Sequence, residues 1–223
     1  PAPHALWKGP AWALPALLAL LGMLGPFSID TYLPAFAAIA HSIDATPVQM
    51  QQTLSAYLFG FAVMNLFHGA LADSFGRRAV VLGTMTVFVL ASVGCALSQN
   101  IYQLIGFRLV QGLSAGGGMV VSRAVIRDLF APAQAQKVMS QVTIYFGLAP
   151  AIAPMVGGFL LGHGGWHGIF WFLAVLGSLI ALATWRMLPE TLEPEARQPF
   201  NAGHLLAGYR TLGLSPQFLL LCL

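Results

Sequence analysis

Charge is what this sequence has least of. Only 8% of its 223 residues are Asp, Glu, Lys or Arg, against 57% hydrophobic, whereas a soluble domain carries about 25% charged residues. So little charge cannot cover a water-exposed surface, which excludes an ordinary soluble domain. Cysteine is nearly absent as well. Cys95 and Cys222 both lie in apolar runs, and two such residues make neither a ligand spacing nor a disulfide framework. Catalytic motifs are missing: there is no P-loop, nucleophile elbow or zinc motif. Ser114 and Ser122 have no base near them in the sequence. The reading is a non-enzyme, with no catalytic residue, no metal and no cofactor. The net charge is +3, but the basic residues are dispersed at the ends of apolar runs, which argues against nucleic acid as a partner. The first apolar run, 12–40, is longer than the ~7–15 residues of a signal h-region, and more runs follow it, so no cleavable leader is read.

What is present is a series of long apolar stretches. Six are long enough to cross a bilayer, near residues 12–39, 48–71, 79–98, 101–122, 138–162 and 168–187, since a spanning helix needs about 20 residues. Short polar or Gly-rich breaks separate them. The chain is therefore read as an all-α membrane protein, with a six-helix bundle over 1–187, a linker over 188–215 and the start of a truncated seventh helix over 216–223. It does not open with Met and closes inside an apolar run, so it is read as a fragment of a longer protein.

The basic residues orient the bundle. If the break 72–78 lies inside, the cytoplasmic segments hold Lys8, Arg77, Arg78, Arg123, Arg127, Lys137, Arg186, Arg197 and Arg210, and the outer loops hold no Lys or Arg. Positive charge is retained on the inner side, which predicts a cytoplasmic N-terminus and a cytoplasmic linker. Three helices followed by three more, with alternating direction, suggest two inverted three-helix repeats with a site between them.

Two charges lie inside the spans. Asp30 is about eleven residues before one outer break and Arg108 about seven after the next, roughly 16 and 10 Å from the outer face at 1.5 Å per residue. They are close enough in depth to share a cavity. A charge in mid-membrane is normally turned toward protein or water. One reading is a static ion pair or polar contact; the other is a carboxylate that takes and releases a proton beside an arginine. Gln111, three residues after Arg108, extends the same helical face. Tyr32, Tyr57, Asn65, Gln141 and Tyr145 either line a cavity or bond to neighbouring backbone. Gly112-x-x-x-Gly116 suits close helix packing, and Pro34, Pro150 and Pro154 are expected to kink or loosen their helices. His163 and His167 are four apart, but Gly164 and Gly165 between them argue against a helical metal site.

Several segments resemble a known family. Gly69-Ala-Leu-Ala-Asp73-Ser-Phe-Gly76-Arg77-Arg78 is similar to the loop between helices two and three of the major facilitator superfamily, and Arg108-x-x-Gln111-Gly112 to the helix-four motif of its antiporters. The helix-five motif G-x-x-x-G-P-x-x-G-G is matched at Pro154, Gly157 and Gly158, with Ala149 and Ala153 at its first two glycines. More narrowly, SIDTYLP, ADSFGRR, VIRDLF, APMVGG, WHGIFWFLA and PETLEPEARQPF resemble the Bcr/CflA-type transporters of bicyclomycin and chloramphenicol resistance. The resemblance implies the N-terminal half of a twelve-helix drug:proton antiporter of the bacterial inner membrane. Its partners would be a small drug, protons as coupling ion, the lipid bilayer and the other half of the same protein. It implies proton coupling at Asp30 and Arg108, a conformational latch at Gly69, Asp73, Gly76, Arg77 and Arg78, and a cavity among the polar residues named above. Asp73 is expected to pair with Arg123 or Arg127, or to meet a helix end of the other half. A metabolite transporter of the same fold, uniporter or symporter, is the other reading, followed by a membrane-embedded protein that transports nothing.

Overall fold

The first span breaks before it is complete, and proline is the reason. In the structure, a computed structural model that describes residues 10, 12–198, 200 and 203, α1 runs over Ala13–Asp30. A 3-10 turn at Leu33–Ala35 contains Pro34, and α2 resumes over Phe36–Ser42. Pro34 has no N–H to give and its ring crowds the preceding turn, so the α-helix stops just ahead of it. The seventh-helix segment 216–223, with Lys8 and Arg210, lies outside the described residues.

Helix α3, Pro47–Phe75, starts with a capping box: the Gln49 N–H donates to the Thr46 hydroxyl at 3.3 Å and the Thr46 N–H to the Gln49 side chain at 2.9 Å. Pro47 occupies the first helical turn, where no donor is lost. The reversal into α4, Arg77–Ala96, takes one residue, Gly76, with φ 99°. The sequence reading allows seven residues for this break; a left-handed glycine makes one sufficient. Helix α5, Ile101–Ala115, is capped by Asn100, which accepts from the Gln103 N–H. Helix α6, Gly117–Leu129, follows across Gly116 alone, so α5 and α6 form one span that extends past its expected end.

Helix α7, Pro132–Met187, has 56 residues, about 84 Å if straight against a hydrocarbon core of about 30 Å. It divides at Gly165, where φ is 64° and ψ −175°, into limbs 132–164 and 166–187. Among the described residues, five helical segments are long and apolar enough to cross a membrane, and the division of the fifth makes six spans. Pro150 and Pro154 lie within the first limb without interrupting it, and the break expected over 162–167 sits at Gly165.

Packing is closest where side chains are smallest. Helix α3 lies mainly on α5, α4 on α5 and α7, and α1 on α6 and α7. A Cβ at Gly60 would meet the Leu109 carbonyl oxygen at 2.6 Å, and one at Gly112 would overlap the Tyr57 carbonyl, so α3 and α5 touch backbone to backbone. On α7, Ala149, Ala153 and Gly157 are buried at spacings of four, and Gly157 rests against the Thr31 carbonyl. The helix-five motif thus presents its small residues to span one, while Pro154 and Gly158 face away. Large apolar side chains such as Phe59, Leu90 and Met155 point outward, as in helices surrounded by lipid.

The close approach sets a test. In the full-length protein, Gly112→Val is expected to lower stability by about 1–3 kcal/mol through overpacking, read by thermal unfolding in detergent. Gly106→Ala, where a Cβ meets nothing within 4 Å, is expected to be neutral or to stabilise by up to about 1 kcal/mol. Equal effects at the two positions would show that α3 and α5 are not in backbone contact.

Candidate functional site

Arg108 is fully buried, and so are the residues that surround it. Its guanidinium carbon lies 4.4 Å from the ring centre of Tyr32 and 4.2 Å from that of Tyr57. The turn after α1 and helix α3 thus bring two aromatic faces onto one cation of α5. Both rings are pinned by their hydroxyls. Tyr57 Oη donates to the Gly25 carbonyl at 2.9 Å and accepts from Ser28 at 2.8 Å. Tyr32 Oη and Thr53 Oγ1 are 2.7 Å apart. Arg108 Nη1 donates to Gln111 Oε1 at 2.7 Å, and Gln111 Nε2 donates to Ser92 Oγ at 2.8 Å. The i,i+3 spacing read from the sequence places Gln111 where it can do this.

The arginine has no anion. Its Nε and Nη2 atoms are buried without a hydrogen-bond partner, and it pairs with no carboxylate among the described residues. Asp30 ends α1, two residues before Tyr32, is partly exposed, and makes no side-chain hydrogen bond or ion pair among the described residues. A static ion pair, one of the two sequence readings, is not formed between Asp30 and Arg108, and Tyr32 lies against the cation.

The other polar candidates are dispersed. Asn65 lies farther along α3 against Gly116, its Oδ1 buried and unpartnered. Gln141 and Tyr145 are exposed on α7, and Tyr145 lines an apolar hollow with Leu20, Met23 and Ile152. They share no surface with the arginine. His163 bonds the Phe159 carbonyl and His167 stacks on Trp166, each occupied locally.

A second cluster surrounds Gly76. Arg77 is nearly buried and bridges two acids, Asp73 at 2.5 Å and Asp128 at 3.2 Å. Gly69 lies about two turns back on α3, near Val120. Of the partners expected for Asp73, Arg123 and Arg127 are exposed and outside this cluster, and Arg77, four residues on, pairs with it instead. Glu190, just beyond α7, accepts from the Arg77 N–H at 2.8 Å and the Arg78 N–H at 3.2 Å. The carboxylate thereby caps the start of α4, where the helix dipole favours an anion. Thr191 donates to Asp128 at 3.0 Å, the Gln198 N–H donates to the Asp73 carbonyl at 3.1 Å, and the Arg78 guanidinium donates to the Trp185 carbonyl. Sequence reasoning gives Asp128 and Glu190 no role. The available signal is position: one acid lies at the end of α6, the other directly after Pro189.

Membrane-length helices that turn a lone cation inward and clasp their charged turn outside the spans define a polytopic helical membrane protein with a polar interior. The Major Facilitator Superfamily is matched over residues 18–223, and the chain belongs to this family of transporters. It is 38% identical over 82% of its length to a bicyclomycin resistance protein homolog of Haemophilus influenzae, covering 46% of that protein. It is 40% identical over 86% of its length to an uncharacterized transporter, YdgK, of Bacillus subtilis, covering 48% of it. Against multidrug resistance protein D of Escherichia coli it is 31% identical, over 88% of this chain and 49% of the other. These relatives agree with the narrower Bcr/CflA resemblance, and the chain spans about half their length. Among solved structures, the proton:xylose symporter XylE superposes with a TM-score of 0.71 at 15% identity, over 81% of this chain and 45% of that one. The human organic anion transporter MFSD10 superposes with 0.64 at 21%, over 93% and 61%. Both show the fold.

The capping carboxylate is open to test in the full-length protein. Glu190→Ala is expected to lower thermal stability by about 1–2 kcal/mol, the range for loss of a helix cap with its charge. Glu190→Gln, which keeps an acceptor oxygen, should cost less. If alanine costs nothing, Glu190 is a surface acid and α4 is capped by other means.

Proposed function

We propose that this chain supplies the six-helix half of an efflux transporter that exports small amphipathic drugs in exchange for protons, by alternating access, in a bacterial inner membrane with its N-terminus and linker cytoplasmic. One observation carries the reading: Arg108 is a fully buried cation with two unmatched donor atoms and no carboxylate beside it. Such a charge is costly away from water unless an anion or a dipole meets it. Asp30 is close in sequence to the ring that covers it and is itself unpaired. The names of the relatives, bicyclomycin and multidrug resistance, support drugs as the cargo class.

The chemistry follows from charge. Protonated, Asp30 is neutral and closing a bundle around it costs little. Deprotonated, it is an anion with an unpaired arginine on the neighbouring helix, and movement of Tyr32 would let the two meet. A proton on Asp30 and an anionic or polar group near Arg108 thus compete for one arrangement of α1 against α5. Tyr32 and Tyr57 give the site flat apolar faces, which suit an amphipathic cargo. The Gly76 cluster, with Asp73, Arg77 and Arg78, acts as a latch that is closed in one state and open in the other.

In proteoliposomes of the full-length protein, Asp30→Asn is expected to abolish drug-dependent proton release while drug still binds, and Arg108→Ala to block transport or uncouple it. Unchanged exchange in both would defeat the coupling assignment. Cells expressing the intact protein should gain drug resistance; uptake of a metabolite without resistance would favour a symporter or uniporter. Asp73→Asn should slow turnover with little effect on drug binding, and normal turnover would reduce the Gly76 loop to a signal of orientation.

A further inference from the structure

We propose that the cavity between α1, α6 and α7 binds a small amphiphile with a single anionic group, which pairs with Arg123. The cavity holds about 230 Å³. Its walls are Met119, Ile126, Met139 and Phe146, and its floor is the backbone at Gly22, where a Cβ would meet nothing within 4 Å. Methionine and phenylalanine side chains make an adaptable, polarisable lining that accepts flat apolar bodies.

The polar inventory of the cavity is short, and it selects the charge of the ligand. The Ser122 hydroxyl is spent on the Leu18 carbonyl and the Thr143 hydroxyl on the Met139 carbonyl. Arg123 is left. It is exposed and makes no hydrogen bond or ion pair among the described residues. Asp73 and Asp128 are taken by Arg77, and Glu190 by the N–H groups that start α4. One free fork of N–H donors above an apolar hollow matches one carboxylate, sulfonate or phosphate on an apolar body. A neutral ligand would gain nothing from the cation, which stays with solvent, and a cationic one would be repelled.

This site is separate from the arginine between the tyrosines. Arg123 follows Arg108 by fifteen residues along the nearly continuous α5–α6 span, about 22 Å at 1.5 Å per residue. The inference does not rest on the transport reading, because occupancy is read without flux.

The experiment uses the full-length protein in phosphatidylcholine nanodiscs, titrated calorimetrically with 4-iodobenzoate and with its neutral counterpart, 4-iodobenzamide. The benzoate is expected to bind at least about tenfold more tightly than the amide, and Arg123→Gln to remove that preference. Met139→Trp, which fills the hollow and leaves the charge in place, should remove binding of both probes. Replacing part of the phosphatidylcholine by phosphatidylglycerol should leave benzoate binding unchanged. Equal affinity for the two probes, or no effect of either variant, overturns the site. Loss of benzoate binding in phosphatidylglycerol assigns the cavity to a lipid headgroup and overturns the free amphiphile.

Discussion

Everything in the interior is arranged around one guanidinium. A cation inside an apolar bundle would ordinarily be offset by a carboxylate, and here aromatic faces take that place. Cation–π contacts are worth about 2 kcal/mol or more when desolvated, so the Tyr32 and Tyr57 rings together offset part of the cost of burying Arg108 without neutralising it. Because the charge persists, the site can still respond to an anion. The tyrosine hydroxyls are bonded to α1 backbone and to Thr53 on α3, which holds both rings in the orientation that the cation needs.

That arrangement depends in turn on small residues. Two aromatic rings can flank an α5 side chain only if α3 and α1 come close to α5 and α7. The Gly112 and Gly157 contacts with carbonyl oxygens permit this approach. Glycine is a poor helix former, so its use in mid-span is explained by packing. The motif glycines and the polar seam are thus one device: the first sets the spacing in which the second works.

The sequence makes some of this legible and leaves the rest hidden for identifiable reasons. Scarcity of charge and six apolar stretches are enough to indicate a helical membrane protein, because bilayer thickness and helix rise leave little freedom. Arg108 and Gln111 stand out because a buried charge and its i+3 neighbour are local facts. The ring contacts are not local; they require α1, α3 and α5 to converge, so the tyrosines read only as polar residues inside spans. The partner of Asp73 is misread because Arg123 and Arg127 look available, whereas Arg77 is a single helical turn away and already faces the acid. Glu190 caps a helix that begins 113 residues earlier, and no pattern of spacing encodes such a contact. Likewise, the Gly-rich stretch near 162–167 signals a break, but which glycine adopts the left-handed conformation is set by the packing of the two limbs and not by the local sequence.

The clasp at Glu190 also changes how length should be counted. A linker after the sixth span would ordinarily be a tether attached at the end of its helix, free to swing from Met187. Here Glu190 and Gln198 fasten it to the ends of α3 and α4 and Thr191 fastens it to Asp128 on α6, so it is held as far as Gln198, beside Asp73. A pull on that strand would be delivered to the second and third spans before it reached the sixth. With the anchor shifted, the point of leverage is the one-residue turn at Gly76.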